Sequence, residues 1–365
     1  MAGILDADTH ILEPKEMWES FEKELSNQRP TVVSGPNRLH WLIDGALFPN
    51  AGGKHGANLA TPVGDDRRSK EPDIGARELV DIDYRLRDMD EMGVETQVVY
   101  PTLFLAFLTD DPGLDVALAQ AYNRFLAQAY EKSNGRIRWV AIPPLRSTES
   151  TIKELRWAKK HGAVGIFFRG LEGDLSLDEP SFFPVYEEAE NLDLPICIHT
   201  GGGSPTMTAL FDINRSRVFP HVRMLPLMAF RNLVANNVPE MFPNLRFGFI
   251  ETGASWIPYV LKALKRGGNR ETRVESWGPE FFRSQRLYIS YEIDEDLPYL
   301  LNYIGEDNLL LGTDYGHHGS LDGTGGDQSA QPQMIAELKS REEVEPRLLD
   351  KILIENPRRF YGLSD

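Results

Sequence analysis

Short apolar runs recur along the chain, each bounded by glycine, proline or polar residues. Most are apolar on both faces, which is typical of parallel strands buried between an inner core and outer helices. We predict eight such strands, at ILDAD (4–8), VETQVVYP (94–101), IRWVAIPP (137–144), AVGIFFR (163–169), PICIHT (195–200), LRFGFIE (245–251), LYISYEI (287–293) and NLLLGTD (308–314).

Helical patterns lie between these runs, with apolar residues three and four positions apart. They cover residues 77–93, 115–135, 150–162, 183–192 and 228–243. Several end in Gly or Asn, which commonly stop helices. The alternation of strands and helices through 365 residues predicts an α/β fold. We expect a (β/α)8 TIM barrel that forms one domain over residues 1–365.

The spacing of the predicted elements is uneven. An insert over about residues 20–75 follows the first strand; its segment RLHWLIDGALF predicts a hairpin over the barrel mouth, and the glycine-rich, charged stretch 50–72 predicts a mobile segment. Residues 201–226 and 315–345 form two further long loops. All three segments follow strands, so they should extend the C-terminal face, where barrel enzymes have their active sites.

Composition narrows the class of partner. The net charge is −16, from 55 acidic and 39 basic residues, which argues against nucleic acid as a partner. A small-molecule substrate, even an anionic one, is compatible with it, because a metal ion and one or two arginines can reverse the potential in a pocket.

Cysteine content and hydropathy indicate the compartment. The single cysteine, Cys197, excludes an internal disulfide and a thiolate zinc cluster. No run approaches the roughly 18 apolar residues of a membrane span, and no basic leader precedes the first strand. We therefore expect a cytoplasmic protein without a membrane partner.

Polar side chains collect where the predicted strands end. In ILDADTH, alternate residues place Asp6, Asp8 and His10 on one face, and burying them costs several kcal/mol each unless something pairs with them. The ends of a barrel's strands converge on one rim. The other polar residues at these ends are Arg169, His199, Glu251 and Asp314, with His317 and His318 just beyond.

Four of these residues predict a metal site. Asp8, His10, His199 and Asp314 supply two imidazoles and two carboxylates, which suit a divalent ion such as Zn²⁺ or Mn²⁺ with a position left for water or substrate. Asp6, further back in its strand, is expected to be structural.

The sequence allows two interpretations for each of two further residues. Glu13 either faces the site or begins the next segment, and Arg169 either binds a substrate carboxylate or pairs with Glu172. We do not expect His40, His55 or His161 to be ligands, because two lie in the insert and one ends a helix.

At these residues the sequence resembles the amidohydrolase-related (amidohydrolase 2) family, which includes aminocarboxymuconate semialdehyde, resorcylate, salicylate and carboxyvanillate decarboxylases. The resemblance covers nearly the whole chain, through DADTH, PICIHTGGG, PEMFPNLRFGFIETGASWIPY, LLLGTDYGHH and ENPRRFYGL. It implies Asp8, His10, His199 and Asp314 as metal ligands. It also implies that the chain can form a homodimer.

One position departs from the family's pattern. The decarboxylases commonly carry a histidine at the end of the sixth strand as acid or base, where this sequence has Glu251. Glu251 would then be the acid or base, or would orient a neighbour such as His317. Phe168 and Arg169 stand where binuclear amidohydrolases have a carboxylated lysine, which implies one metal ion.

The first functional hypothesis is a metal-dependent, nonoxidative decarboxylase (a lyase) acting on a hydroxylated aromatic or unsaturated carboxylic acid. Arg169 would add a substrate contact, Asp314 or Glu251 would protonate the ring carbon, and Trp41, Phe48, Phe104 and Phe107 would supply apolar walls. The alternative is a metal-dependent hydrolase or hydratase with the same ligands, acting on a lactone, amide or C–C bond. A third hypothesis is a barrel that has lost catalysis and serves as a binding protein.

Overall fold

A computed structural model describes residues 2–21, 25–36, 38–49, 59–210, 224–267, 277–317 and 333–363. Eight parallel strands form one sheet in sequential order, with a helix or helices between successive strands, so the predicted barrel is confirmed. The first to eighth strands are Ile4–Ile11, Val94–Pro101, Ile137–Ala141, Ala163–Arg169, Ile196–His199, Phe247–Ile250, Leu287–Ser290 and Leu309–Leu310.

The sheet closes through hydrogen bonds between its first strand and the chain just beyond its last one. The Ala7 N–H donates to the Leu311 carbonyl at 3.1 Å, and the Asp314 N–H donates to the Asp8 carbonyl at 3.0 Å. Asp8 and Asp314, both predicted ligands, are thus joined by the main chain.

Helices cover the outside of the barrel. The longer ones are Ile82–Met92, Pro112–Lys132, Thr148–Lys160, Phe183–Asn191, Met224–Ala235, Ile257–Gly267 and Leu297–Ile304. Shorter ones are Asp65–Lys70, Ile74–Arg77, Pro205–Ala209, Val238–Met241, Pro279–Gln285, Met334–Ser340, Pro346–Asp350 and Asn356–Tyr361. Local chemistry sets several ends: the Asp111 carboxylate accepts from the Leu114 N–H at 2.7 Å, and Gly93, with φ 69°, ends Ile82–Met92.

Two predicted helices are each divided in the structure. The pattern over residues 77–93 contains a break at Leu79, where φ is 55°, and a new helix begins after Asp81, whose carboxylate accepts from the Tyr84 N–H. The pattern over 228–243 contains a break at Asn237, where φ is 57°. The spacing of apolar residues does not reveal a residue whose backbone is in the left-handed conformation.

Successive side chains of the fourth strand point alternately outward to the helices and inward to the predicted metal site. Phe168 packs against Phe182 and Tyr186, with ring centroids 5.8 and 6.0 Å away. Phe167 points the other way and lies 6.0 Å from the His199 ring. The inward positions of this strand therefore border the predicted metal site.

The insert contains a small antiparallel sheet of Thr31–Ser34, Leu39–Ile43 and Ala46–Phe48. The last two strands form the hairpin expected in RLHWLIDGALF. Buried Trp41 contacts Trp18 edge to face at 5.8 Å, and its indole N–H donates to the Thr61 hydroxyl at 3.0 Å. Residues 50–58 of the predicted mobile stretch lie outside the described residues.

None of the described helices combines the length and the apolar content that a bilayer crossing requires.

Candidate metal centre

The four predicted ligands come together at the C-terminal rim of the barrel, with Glu251 beside them. His10 Nε2 lies 3.6 Å from Asp8 Oδ1 and 3.3 Å from Asp314 Oδ1. His199 Nε2 lies 3.6 Å from Asp8 Oδ2 and 3.1 Å from Glu251 Oε2. All five side chains are buried. Asp8, His10, His199 and Glu251 form one group that could hold a metal ion, and His10, Asp314 and His317 form a second group that shares His10.

Glycines allow the close approach of the first and last strands at this rim. A Cβ on Gly312 would lie 2.2 Å from Asp8 Cβ and 2.8 Å from its backbone nitrogen. Gly316, with φ 119°, packs on the His10 carbonyl. A side chain at either position would push the last strand away from the ligands of the first.

Main-chain carbonyls fix the tautomer of both histidines. His10 Nδ1 lies 3.0 Å from the Pro101 carbonyl, and His199 Nδ1 lies 3.0 Å from the Thr200 carbonyl. Because a carbonyl only accepts, each Nδ1 carries the hydrogen. In the neutral rings both Nε2 atoms therefore present a lone pair to the centre, as metal-binding histidines do.

The spacing of the donor atoms fits one bound ion. Two ligands bonded at about 2.1 Å to the same ion lie about 3.0 to 3.6 Å apart at angles between right and trigonal. The nitrogen–oxygen distances around His10 and His199 run from 3.1 to 3.7 Å. Asp8 Oδ1, His10 Nε2 and His199 Nε2 are buried and make no hydrogen bond within the described residues. The donor set therefore fits a divalent cation.

Burial and mutual charge shift the acid–base behaviour of these groups. Burial and the two neighbouring histidines hold the pKa of His10 well below its ordinary value. Burial alone would also lower the pKa of His199, but the carboxylates of Asp8 and Glu251 outweigh it and raise the pKa to about 9. Burial raises the pKa of Asp8. The cluster thus concentrates negative charge around His199, where a cation would be stabilised.

His317 lies next to the centre and contacts Asp314. His317 Nδ1 is 2.8 Å from Asp314 Oδ1, and its Nε2 is 2.9 Å from the Thr102 hydroxyl. Its ring stacks on that of His10, with centroids 4.0 Å apart. Thr102, which we did not predict, therefore orients the histidine that faces Asp314; His318 lies outside the described residues.

Glu13 and Asp6 are both used within the fold. Glu13 is buried, and its Oε1 accepts from the N–H groups of Thr102 and Leu103 at 2.8 and 2.9 Å. Asp6 accepts from the backbone N–H and the hydroxyl of Thr313 at 2.9 and 2.7 Å, as expected for a structural residue. Glu13 thus holds the loop that carries Thr102, and its predicted contact with substrate stays a prediction.

Arg169 pairs with Glu172, which is one of its two predicted interpretations. Its Nε donates to Glu172 Oε1 at 3.1 Å, and its Nη1 donates to the Ala106 carbonyl at 2.6 Å. These contacts occupy much of the guanidinium, so a second role toward substrate stays a prediction. Arg169 is also the register partner of His199 in the neighbouring strand.

A pocket opens beside this pair. Its walls include Phe104, Phe107 and Phe167, together with Arg146 and Arg169. The Arg146 guanidinium lies over the Phe107 ring at 5.0 Å and comes within 3.8 Å of the exposed Asp110. Phe167 lines the pocket, and its ring lies 6.0 Å from the His199 ring, so this side chain lies between the pocket and the candidate ligands, which are not themselves part of the pocket wall. Phe104 and Phe107 were predicted as apolar walls, whereas Arg146 was not predicted.

The remaining histidines agree with their exclusion as ligands where they are described. His40 Nδ1 contacts the Pro49 carbonyl at 2.6 Å, and His161 stacks on Trp157 at 4.0 Å. His55 lies outside the described residues.

Residues 6–363 match the sequence model of the Amidohydrolase family, so the chain belongs to that family.

The chain is also similar to individual proteins and solved structures. The chain is 28% identical over 246 residues to 2-amino-3-carboxymuconate-6-semialdehyde decarboxylase from Dictyostelium discoideum, covering 64% of this chain and 66% of that one. An amidohydrolase from Mycobacterium avium subsp. paratuberculosis K-10 superposes with a TM-score of 0.77 at 20% identity, covering 100% and 98%. Dihydroxybenzoic acid decarboxylase from Polaromonas sp. JS666, solved with manganese and 2-nitroresorcinol, gives 0.67 at 17% identity, covering 100% and 98%.

Proposed function

We propose that this protein is a metal-dependent, nonoxidative decarboxylase of a hydroxylated aromatic or unsaturated carboxylic acid. The observation that carries the proposal is a buried centre of two histidines and carboxylates next to a pocket lined by aromatic rings and Arg146. The decarboxylase relatives support the same class of reaction. Asp8, His10, His199 and Asp314 would hold one divalent ion, Mn²⁺ or Zn²⁺.

When bound, such an ion would supply positive charge for the substrate's carboxylate and adjacent hydroxyl, and for negative charge that develops during the reaction. The chain's own residues orient the substrate. The rings of Phe107 and Phe167 provide apolar surfaces for the substrate's ring, and Arg146 provides a cation for a second polar group. Asp115 and Glu172 also line the pocket, and Glu172 pairs with Arg169, so Arg146 is the cation that we expect a flat, anionic molecule to meet.

We infer that Asp314 and His317 carry out proton transfer. As CO₂ leaves, the electron pair of the broken C–C bond stays on the substrate carbon, which must take up a proton. The contact between His317 Nδ1 and Asp314 Oδ1 at 2.8 Å allows the histidine to hold a proton next to that carboxylate. We assign Asp314 as the group that protonates carbon and His317 as the residue that supplies its proton.

The first test is metal content and CO₂ release by the purified wild-type protein. We expect about one Mn²⁺ or Zn²⁺ per chain by inductively coupled plasma mass spectrometry, and loss of the ion in His199→Ala. Hydroxylated aromatic acids should then be screened for CO₂ release. Asp314→Asn should abolish turnover in protein that retains metal, whereas Glu188→Gln, on the outer helix where Glu188 pairs with Arg156, should not.

Product mass separates decarboxylation from the hydrolase or hydratase alternative. Loss of CO₂ without a gain of water supports the proposal. If the metal-loaded protein instead gives a product that has gained water, the hydrolase or hydratase alternative is supported. If the protein binds no metal under metal-replete conditions, both functions are excluded.

A further inference from the structure

Glu251 has the same spatial relation to the two histidines as the predicted ligand Asp8. Glu251 Oε2 lies 3.1 Å from His199 Nε2 and 3.7 Å from His10 Nε2. The two Asp8 oxygens lie 3.6 Å from one Nε2 each. Glu251 follows the sixth strand with φ 53°, the value that Asp314 has after the eighth strand. Both residues adopt a left-handed backbone that non-glycine residues rarely use, and such conformations cluster at functional sites.

We propose that Glu251 is a fifth ligand of the metal ion, rather than the acid or base of the reaction. The inference rests on the metal centre of the proposed function, but not on the reaction that occurs there.

The hydrogen-bonding pattern supports this assignment. Because the Nδ1 atoms of His10 and His199 donate to carbonyls, their neutral rings present lone pairs toward Glu251 Oε2. A carboxylate oxygen at 3.1 Å from such a lone pair is repelled unless a positive charge, either a proton on Nε2 or a metal ion, lies between them. A metal ion bound by both atoms provides that charge. The same oxygen accepts from the Thr200 hydroxyl at 3.3 Å, which orients the carboxylate toward the histidines.

A fifth ligand changes which metal the site should prefer. Three carboxylates and two imidazoles exceed the four positions of a tetrahedral Zn²⁺ site, but leave one open position on a six-coordinate ion. Carboxylate oxygens also favour harder ions such as Mn²⁺. Three carboxylates around a divalent ion leave one excess negative charge, so an anionic substrate would depend on Arg146. We therefore expect Glu251 to be the residue that selects Mn²⁺ over Zn²⁺.

The experiment measures metal binding without turnover. Mn²⁺ affinity is determined by competition with a chelating dye for wild type, Glu251→Gln and the control Glu188→Gln. Partners in the outer shell of metal sites typically contribute about 10–100-fold to affinity, so loss of a direct ligand should weaken Mn²⁺ binding on the order of 100-fold or more. Zn²⁺ binding should weaken less. The electron paramagnetic resonance spectrum of bound Mn²⁺ should change in Glu251→Gln and stay unchanged in the control.

Each outcome has a distinct meaning. If Glu251→Gln binds Mn²⁺ as wild type does, with the same spectrum, Glu251 is not a ligand and the inference is overturned, while the metal centre stands. If the wild type binds neither Mn²⁺ nor Zn²⁺, the proposed function itself fails. Thermal unfolding without metal shows whether Glu251→Gln folds. If it does not, Glu251→Asp, which keeps the charge on a shorter side chain, replaces it, with at least about tenfold weaker Mn²⁺ binding expected.

Discussion

Replacing Glu13 by glutamine should remove the contribution of this one carboxyl to the pH dependence of folding stability in the metal-free protein. The Glu13 side chain is fully buried, and one oxygen accepts from two backbone N–H groups. Its Oε2 makes no hydrogen bond within the described residues. Burial raises the pKa of Glu13 from 4.5 to about 7. The folded protein therefore holds this proton to a higher pH than the unfolded chain does.

The sign and size of the effect follow from that difference. Because the folded state binds the proton more tightly, stability is greatest below the unfolded pKa of 4.5 and falls as pH rises through about 7. At about 1.36 kcal/mol per pH unit, the total loss is about 3 kcal/mol. Glutamine mimics the protonated acid and keeps an oxygen for the two N–H groups. The variant should therefore exceed the wild type by up to about 3 kcal/mol above pH 7, or about 4 °C in Tm.

Thermal unfolding in the presence of a chelator, from about pH 5 to about pH 8, measures this effect. The difference in Tm between Glu13→Gln and wild type should grow with pH across that range. Glu13→Ala provides the contrast: it also removes the charge, but it leaves the N–H groups of Thr102 and Leu103 unpaired, which costs about 2 kcal/mol at every pH. Parallel curves for Glu13→Gln and wild type would refute the assignment of a raised pKa.

Three further predictions concern the rim. Gly312→Ala places a methyl group 2.2 Å from Asp8 Cβ, so metal content should fall sharply while circular dichroism shows a folded protein. Thr102→Val removes the 2.9 Å contact to His317 Nε2, so kcat should fall about tenfold with KM nearly unchanged, and an equal rise in KM would contradict this role. Arg146→Leu removes a pocket cation and should raise KM about 10–100-fold; an unchanged KM would exclude Arg146 from substrate binding.

The strand positions could be predicted because burial on two faces leaves a strong apolar signal. The second predicted strand, 94–101, coincides with Val94–Pro101. The last was predicted over 308–314, but the ladder includes only Leu309–Leu310. Beyond it the chain bends toward the site, and Asp314 adopts φ 53°. The apolar pattern therefore overestimates the length of a strand whose end forms part of the site.

The meeting of the predicted ligands at one rim could be predicted because topology alone brings strand ends together there. Contacts that depend on loop conformation could not be predicted. Thr102 meets His317 across 215 positions of the sequence, and no local pattern indicates that contact. The pairing of Arg169 with Glu172 likewise depends on the conformation of the turn between these two residues, which lie three positions apart. The apolar pattern does not define that conformation. Glu251 was predicted at the rim, but its contacts of 3.1 Å with His199 and 3.7 Å with His10 were not predicted.

Barrel closure and ligand placement depend on the same contacts in this protein. The Asp314 N–H donates to the Asp8 carbonyl, and the His10 N–H donates to the Tyr315 carbonyl at 2.6 Å. These bonds join the two ends of the sheet and also set the positions of three predicted ligands, Asp8, His10 and Asp314. An ion bound to Asp8 and Asp314 would add a second link across the same seam, so its binding energy would also oppose opening of the barrel. Asp8 and Asp314 lie on opposite sides of this seam, so a cation bound by both would stabilise the closed barrel as well as complete the predicted site.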